Sequence, residues 1–384
     1  MKPVYLDHAA TAWPKAPGVS LAVADFLDRV GGNPGRSGHR MSIEAGRVVS
    51  SARETLARLI GADDPLRIVF CSNGTEALNI ALHGLLRPGD EVITSSVEHN
   101  AMMRPLRTLE RGGVRVTVVA CSADGRLDPS AVEAACTRET KLIALTHASN
   151  VTGGLLPVPE VSRIAHACGV PLLVDGAASA GCVPLSMKEM GIDLLAFTGH
   201  KGLLGPPGTG GLAIGRSFDE SALRPLKQGG TGSRSESEEQ PDFLPDMLEC
   251  GTVNGAGIAG LDRSARWILE KSVVAIRDRL RECSQRLRDG LQRIPGVRVY
   301  GPALPEDRTG IVSFTSESKT PSAMGEALDR DYHVLCRVGL HCAPAAHRTI
   351  GTFPTGTVRF AVGIFNTDEE IERAIDAVAA IQKR

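Results

Sequence analysis

The sequence contains no apolar run of about 18 residues, the length that a membrane-spanning helix needs, so no transmembrane segment is predicted. Neither sign of charge is in excess, because 43 Lys and Arg residues face 44 Asp and Glu residues and leave a formal net charge of -1. Such a balance gives no electrostatic indication of binding to nucleic acid or to an anionic membrane. The N-terminal string MKPVYLDHAAT lacks the apolar core of a signal peptide, which predicts a cytoplasmic protein.

Cysteine pairs of the kind that mark disulfide frameworks or zinc ribbons are also missing. The nine cysteines are odd in number and contain no C-x-x-C pair, so a cytoplasmic chain is expected to keep them reduced. One short segment does hold metal-ligand residue types, namely Cys336, His341, Cys342 and His347. Its spacing matches no standard zinc pattern, and we therefore predict no metal site.

The chain has 384 residues, enough for two domains or for one large domain with a smaller one attached. Its first half alternates helical patterns with short, almost wholly apolar runs. Such runs predict strands buried on both faces, and their alternation with helices predicts an α/β layer with a mostly parallel sheet. The predicted strands span residues 67–71, 91–94, 114–119, 142–146, 171–175, 194–198 and 210–214, and the predicted helices span residues 75–86, 100–111, 128–135 and 158–168.

The second half of the chain has a different organisation. Residues 227–245 are rich in Gly, Ser, Glu and Pro, which predicts a loop. We predict a large domain of residues 15–257 and a smaller α+β domain that combines residues 1–14 with residues 258–384. The elements predicted in the smaller domain are a helical stretch over 257–294, strands near 297–300, 310–315 and 358–362, a helix near 321–331, and a last helix that begins at a capping box of Thr367 and Glu370.

Polar side chains follow five of the predicted strands at the point where each strand ends. In open α/β sheets, ligands bind beyond the carboxyl ends of the strands, so these side chains are expected to meet in one crevice. The residues in question are Gly74 and Thr75 after the first strand, His99 after the second, Asn150 after strand 142–146, Asp175 at the end of strand 171–175, and Lys201 after strand 194–198.

Two of these side chains, Lys201 and Asp175, are the types that pyridoxal 5'-phosphate (PLP) requires. A lysine amine holds this cofactor as a Schiff base, and a carboxylate keeps the pyridine nitrogen protonated so that the ring withdraws electrons. Gly74 and Thr75 open a predicted helix, whose first N–H groups suit a phosphate. The strand ends therefore predict a PLP site.

His99 and Asn150 complete this prediction, since an imidazole can stack on the cofactor ring and an amide can bond its hydroxyl. Each residue alone has an ordinary explanation, because strand ends carry capping side chains and most lysines are solvated. Their joint placement on adjacent strand ends is what favours a site. The glycine-rich segment 205–211 is similar to a nucleotide loop but lacks the Lys-Ser/Thr ending, so we predict a tight turn there.

The sequence resembles the class V aminotransferase-fold enzymes, which are PLP-dependent transferases of fold type I. Within them it is similar to the cysteine desulfurases of the short-loop, Suf-type group, which is close to the selenocysteine lyases. The resemblance covers nearly the whole chain in order. Its motifs are YLDHAAT at 5–11, SNGTEALN at 72–79, EHN at 98–100, DGA at 175–177, GHK at 199–201, GTVN at 251–254, RVGLHCAP at 337–344 and VRFAVGIFNT at 358–367.

The resemblance implies a cofactor role for several residues. Lys201 would be the Schiff-base lysine, Asp175 the partner of the pyridinium nitrogen, and His99 the residue that stacks on the ring. Thr252 would reach the phosphate of the neighbouring subunit's cofactor, which implies a homodimer with shared active sites. The residues that would hold the phosphate within one subunit are Thr75, Thr198 and His200.

The resemblance also implies a substrate and a reaction. Arg359 would clamp the carboxylate of L-cysteine, a bidentate task that suits guanidinium. Cys342 would take the substrate sulfur as a persulfide while L-alanine leaves, and a sulfur-acceptor protein would receive that sulfur for iron–sulfur clusters or other thio-cofactors. Cys336 ends an apolar run and is expected in the core. The residues expected at the substrate entrance are Asn33, Arg36 and His39.

Two departures from the family pattern leave alternatives open. Ala178 stands where the family has a Gln that bonds the ring oxygen, and Val253 stands where it has Pro. The alternatives are a related PLP enzyme on another substrate (a selenocysteine lyase, a C–S lyase or an aminotransferase) and a non-catalytic protein of the same fold. The presence of Lys201, Asp175 and Arg359 argues against the non-catalytic alternative.

Overall fold

The computed structural model of the chain describes residues 2–35 and 37–383. Strand and helix alternate through the first half, as predicted. The strands are Val4–Tyr5 (β1), Ile68–Cys71 (β2), Glu91–Ser95 (β3), Arg115–Val119 (β4), Thr140–Thr146 (β5), Leu172–Asp175 (β6), Leu194–Thr198 (β7), Gly210–Ile214 (β8), Val297–Tyr300 (β9), Ile311–Ser316 (β10), Val334–Leu335 (β11), Arg337–Gly339 (β12) and Thr357–Ala361 (β13). The α-helices are Val19–Asp25 (α1), Arg40–Ile60 (α2), Gly74–Leu85 (α3), Asn100–Arg111 (α4), Pro129–Ala135 (α5), Val158–Ala167 (α6), Met187–Met190 (α7), Gly255–Lys271 (α8), Val273–Gln292 (α9), Pro321–Tyr332 (α10), Pro344–Thr349 (α11) and Asp368–Gln382 (α12).

A seven-stranded sheet forms the centre of the fold, in the order β2-β8-β7-β6-β5-β3-β4. All of its neighbouring strands run parallel except the two pairs that β8 makes with β2 and β7. Strands β3, β6, β7 and β8 are buried along their whole length, as their continuous apolar runs predict. One hydrophobic core lies on the face that α3 and α4 cover, and a larger core covers the opposite face and continues into the second sheet.

A second, antiparallel sheet has the order β12-β13-β10-β9 and is covered by α9 and α10, against which α12 packs. The N-terminal segment joins this part of the chain, because β1 pairs in parallel with β11 and Asp7 bridges to Ala361. The predicted capping box is present at the start of α12, where the Thr367 side chain accepts the Glu370 amide and the Glu370 side chain accepts the Thr367 amide. Among residues 2–35 and 37–383, no helix is both long and apolar enough to cross a membrane.

Two long helical regions differ from the sequence prediction. The helical stretch predicted over 257–294 is two helices, because Ser272 has a left-handed backbone with φ of 70° between α8 and α9. The long helix α2 was not predicted. Its N-cap is His39, whose Nδ1 accepts the amide of Ser42 in place of the Ser, Thr, Asp or Asn side chain that usually marks a helix start.

Candidate active site

A cavity of about 520 Å³ opens at the carboxyl ends of β3, β5, β6 and β7, beside the N-terminus of α3. All of the cofactor residues predicted from the sequence line it except Thr252. The lining residues are Asn73, Gly74, Thr75, Leu78, His99, Ala101, Thr146, Ala148, Asn150, Asp175, Ala177, Ala178, Thr198, His200 and Lys201. The parallel sheet thus brings together side chains that are more than a hundred residues apart in sequence.

Lys201 and Asp175 are the charged pair of this cavity. Burial lowers the pKa of the Lys201 ammonium, while the nearby Asp175 opposes that shift and the guanidinium of Arg359 adds to it. A lysine with a lowered pKa supplies the free amine that Schiff-base formation needs. Burial raises the pKa of Asp175, whose Oδ1 accepts the amide of Ala177 at 2.9 Å. Because both groups are buried, solvent cannot stabilise their charges, and the opposite charges of Lys201 and Asp175 stabilise each other instead.

His99 caps α4 and faces the cavity. Its Nδ1 accepts the amide of Ala101 at 3.0 Å, so the neutral ring carries its hydrogen on Nε2. Burial, with the positive charge of Lys201 acting in the same direction, lowers the pKa of His99 to about 4. The ring is therefore neutral at physiological pH and suited to lie against an aromatic cofactor.

The helix start at α3 forms an anion site at one end of the cavity. The side chain of Asn73 accepts the amide of Glu76 and its carbonyl accepts that of Ala77, which leaves the first-turn amides of Gly74 and Thr75 without an intrahelical acceptor. Thr198 Oγ1 is buried and has no hydrogen-bond partner among the described residues. This orphaned hydroxyl and the helix start suit a phosphate group.

His200 lies at the same end of the cavity. Its Nδ1 is 3.1 Å from Thr11 Oγ1, and burial lowers its pKa to about 4, so the ring is neutral. Ala178 places a methyl group on the cavity wall, where the family has an amide side chain. The residues present therefore fit PLP at its aldehyde, ring nitrogen and phosphate ends, and offer no side-chain donor from position 178.

Arg359 lies on β13, is fully buried and makes an ion pair with Asp7 at 2.8 Å. Its Nη1 donates to the carbonyl of Asn150 at 3.1 Å, and its Nε has no partner among the described residues. A buried guanidinium with an unused donor is poised for a further acceptor, such as a carboxylate. Asp7 was not among the predicted site residues, although it belongs to the YLDHAAT motif.

Cys342 is exposed in the short loop between β12 and α11, and both His341 and Cys342 have left-handed backbones with φ of 48° and 59°. The carbonyl of Cys342 accepts the amide of Asn100 at 2.8 Å, which places the loop beside the start of α4. Arg337 Nη2 lies 3.0 Å from Cys342 Sγ. Sequence reasoning missed Arg337, although the RVGLHC string places it five residues before the cysteine.

Besides Arg359 and Cys342, three predicted residues among those described do not line the cavity of their own chain. Thr252 lies in an exposed segment, where its hydroxyl accepts the side-chain amide of Asn33 at 3.3 Å. His39 is exposed and caps α2. Arg36 lies outside the described residues, so its predicted place at the substrate entrance stays a prediction. Asn33 and Thr252 form one surface, since they contact each other.

The two histidine side chains between Cys336 and His347 have hydrogen-bond partners of their own. His341 Nε2 lies 3.0 Å from Thr357 Oγ1, and His347 Nδ1 lies 2.7 Å from Thr352 Oγ1. Within the described part of the chain, no group of three or more His, Cys, Asp or Glu side chains is arranged to hold a metal ion. Cys336 is partly buried and packs against the core.

A lysine and an aspartate on neighbouring strand ends, a neutral histidine and a helix start for phosphate define the site of a PLP enzyme of the α/β type. The chain belongs to the aminotransferase class-V family, whose model matches residues 4–374. Members of this family are PLP-dependent.

Several curated relatives and solved structures are similar to this chain. A probable cysteine desulfurase from Methanothermobacter thermautotrophicus is 35% identical over 96% of this chain and 92% of that protein. One from Aeropyrum pernix is 34% identical over 98% of this chain and 94% of that protein. The apo structure of a cysteine desulfurase from Thermococcus onnurineus superimposes with a TM-score of 0.93 at 30% identity, over 99% of this chain and 95% of that one.

Proposed function

We propose that this protein is a PLP-dependent cysteine desulfurase that converts L-cysteine to L-alanine and takes the sulfur onto Cys342 as a persulfide. The observation that carries the proposal is the position of Cys342. Its thiol is exposed, a guanidinium lies 3.0 Å from the sulfur, and its loop is bonded to the rim of the cofactor cavity. The relatives that bear this activity by name match nearly the whole chain.

Bound PLP supplies an electron sink that makes the substrate's α-hydrogen acidic and weakens its Cβ–S bond. Lys201 would provide the amine that holds the cofactor, and Asp175 would keep the ring nitrogen protonated. Gly74, Thr75, Thr198 and His200 would bind the phosphate, and Asn150 would bond the ring hydroxyl. His99, a neutral imidazole with a pKa of about 4, would stack on the ring.

Arg359 binds the substrate carboxylate with the donor that is left over after its bonds to Asp7 and Asn150. This contact orients the amino acid so that its side chain points toward the cysteine loop. Orientation of a bound substrate lowers the barrier because the reacting atoms no longer have to find each other.

The sulfur transfer uses the thiolate of Cys342 as the nucleophile. Its sulfur forms a bond to the substrate sulfur as the Cβ–S bond breaks, and the bonding electron pair stays on the carbon skeleton. Protonation of that carbon yields alanine. Arg337 stabilises the anionic sulfur through a charge-assisted hydrogen bond. The sulfur bound to Cys342 then passes to an acceptor thiol, for use in iron–sulfur clusters or other thio-cofactors.

The proposed assembly is a homodimer with shared active sites. Thr252 does not line its own cavity, and Asn33 is bonded to it, so a partner subunit would receive both residues at its phosphate and substrate entrance. His39 and Arg36 are proposed for the same entrance.

We also propose two domains, 15–257 and 1–14 with 258–384, which the pairing of β1 with β11 supports. A cytoplasmic location fits nine free cysteines.

The test is alanine and sulfide production from L-cysteine with a reductant, comparing the wild type with Cys342→Ala. The variant is expected to keep the yellow cofactor and lose desulfurase turnover. Cys168→Ala is the matched control, since this exposed thiol lies at the end of α6, away from the cavity, and its loss should leave turnover unchanged. Turnover that survives in Cys342→Ala would point to direct C–S lysis. A wild type that ignores cysteine but acts on selenocysteine or another amino acid would replace the proposed substrate.

A further inference from the structure

Asn150 contacts three separate parts of the site. Its side-chain amide donates to the carbonyl of His341 at 2.7 Å, its backbone carbonyl accepts from Arg359 at 3.1 Å, and it lines the cavity that holds Lys201. The residue is 7% exposed, so these contacts are shielded from water. One asparagine thus joins the cofactor cavity, the buried guanidinium and the cysteine loop.

The cysteine loop needs such support because its backbone is unfavourable. His341 and Cys342 both adopt left-handed conformations with φ of 48° and 59°, which cost side-chain-bearing residues free energy. Two hydrogen bonds fasten the loop to the large-sheet side of the site. One runs from the Asn100 amide to the carbonyl of Cys342, and the other runs from Asn150 to the carbonyl of His341.

A side-chain amide has two N–H hydrogens, and only one of them is used by the carbonyl of His341. We propose that Asn150 is a positioning residue that couples occupancy of the cofactor cavity to the placement of Cys342. A cofactor oxygen that accepts the second hydrogen fixes the rotamer in which the first reaches His341. The identity of Cys342 as the nucleophile rests on the proposed function, but the coupling itself is a property of the loop.

The experiment measures how fast iodoacetamide alkylates Cys342 before and after the protein is loaded with PLP. Tryptic peptide 338–348 contains Cys342 as its only cysteine, so mass spectrometry follows this thiol directly. Peptide 331–337 reports Cys336 in the same digest. Peptide 282–286 reports Cys283, which is buried in α9 and stays protected as long as the protein is folded.

In the wild type, PLP is expected to change the alkylation rate of Cys342 by about two- to tenfold, the effect of one hydrogen bond made or lost. The ratio of the alkylation rates with and without PLP should fall to about one in two variants. These are Asn150→Asp, whose carboxylate repels the His341 carbonyl, and Asn150→Ala. Without cofactor, the variants should also differ from the wild type in the alkylation rate of Cys342 and match it in the alkylation rate of Cys336.

The proposal is overturned if the variants keep the wild-type ratio, if the cofactor-free rates are equal, or if PLP binds the wild type without changing the rate. PLP binding is followed by absorbance in every sample. The desulfurase proposal would fail for a different reason, namely if no alanine formed from L-cysteine. That result would not change what the alkylation ratios say about Asn150. Loss of Cys283 protection identifies an unfolded variant, and the other substitution at position 150 then decides the outcome.

Discussion

Arg359 Nη2 lies 2.8 Å from Asp7 Oδ1, and this ion pair connects the N-terminal segment to the second sheet, beside the cavity-lining Asn150. The guanidinium is fully buried and the carboxylate is its only counter-charge in direct contact among the described residues. Holding a buried charge in place requires a partner with good geometry, because both ions lose water. Asp7 therefore positions the group that we propose for binding the substrate carboxylate.

Asp7→Asn is expected to raise the KM for L-cysteine by about tenfold, because a hydrogen bond to a charged group contributes about 1.5–3 kcal/mol and the guanidinium loses its fixed orientation. The kcat should change less, since the chemistry at Lys201 and Cys342 is untouched. Steady-state kinetics with cysteine as the varied substrate checks this. Asp25→Asn, at a surface carboxylate paired with Arg29, is the control and should leave KM unchanged.

Lys201→Ala is expected to abolish covalent attachment of PLP. The nitrogen that carries the linkage is then missing, while the phosphate end of the cavity formed by Gly74 and Thr75 remains. Borohydride treatment followed by peptide mass spectrometry measures the attachment. Cofactor that is still fixed to the variant by reduction would show that another amine forms the Schiff base.

Arg337→Gln is expected to lower kcat by about tenfold with little change in KM or in the cofactor's absorbance. The variant loses the charge-assisted hydrogen bond at Cys342 Sγ, which is worth about twice a neutral one. Arg337→Lys keeps the positive charge and should recover part of the rate. Equal rates in wild type and Arg337→Gln would show that the 3.0 Å contact has no part in sulfur transfer.

Much of the cofactor cavity was predictable, because its residues follow strands that are buried on both faces and read as short apolar runs. Asp175 and Lys201 stand at the ends of such runs, and the parallel sheet then has to bring them together. The helix α4 begins and ends at the predicted residues, and strands β7 and β8 have the predicted bounds.

Contacts between distant segments were not predictable. Asn150 and His341 are 191 residues apart, and nothing local indicates that the side-chain amide of one meets the carbonyl of the other. The ion pair of Arg359 with Asp7 spans 352 residues. The break at Ser272 was missed for a different reason, since the residues around it include neither Gly nor Pro, the usual signals of a helix end.

Ser272→Gly is expected to raise the free energy of unfolding by about 1 kcal/mol. The residue is exposed, has φ of 70°, and pays a steric cost for its Cβ that glycine avoids. Denaturant unfolding of the variant measures the gain. Ser272→Ala keeps the Cβ and should show no such gain. A destabilised glycine variant would mean that the Ser272 hydroxyl, not its backbone, matters at this junction.

Glu98 is a fully buried carboxylate that is bonded to Thr146, a residue of the cofactor cavity wall. Its Oε1 accepts the Ser95 hydroxyl at 2.6 Å, and its two oxygens accept the Thr146 amide at 3.0 and 2.9 Å. Burial raises the pKa of Glu98 to about 8 from the ordinary 4.5, and the charge of Asp175 acts in the same direction. The folded protein therefore keeps this proton at neutral pH.

The stability contributed by this proton is complete below pH 4.5 and is lost as the pH rises to about 8, because over that interval the unfolded chain releases the proton and the folded chain retains it. Within that window Glu98 alone lowers the free energy of unfolding by about 1.4 kcal/mol per pH unit.

Glu98→Gln removes the ionisation, so its stability relative to the wild type should increase steadily from pH 5 to pH 8. Urea unfolding of the cofactor-free proteins across that range measures the difference, with Glu54→Gln at an exposed position of α2 as the control. A difference between Glu98→Gln and wild type that is constant with pH would show that Glu98 is ionised in the folded protein throughout.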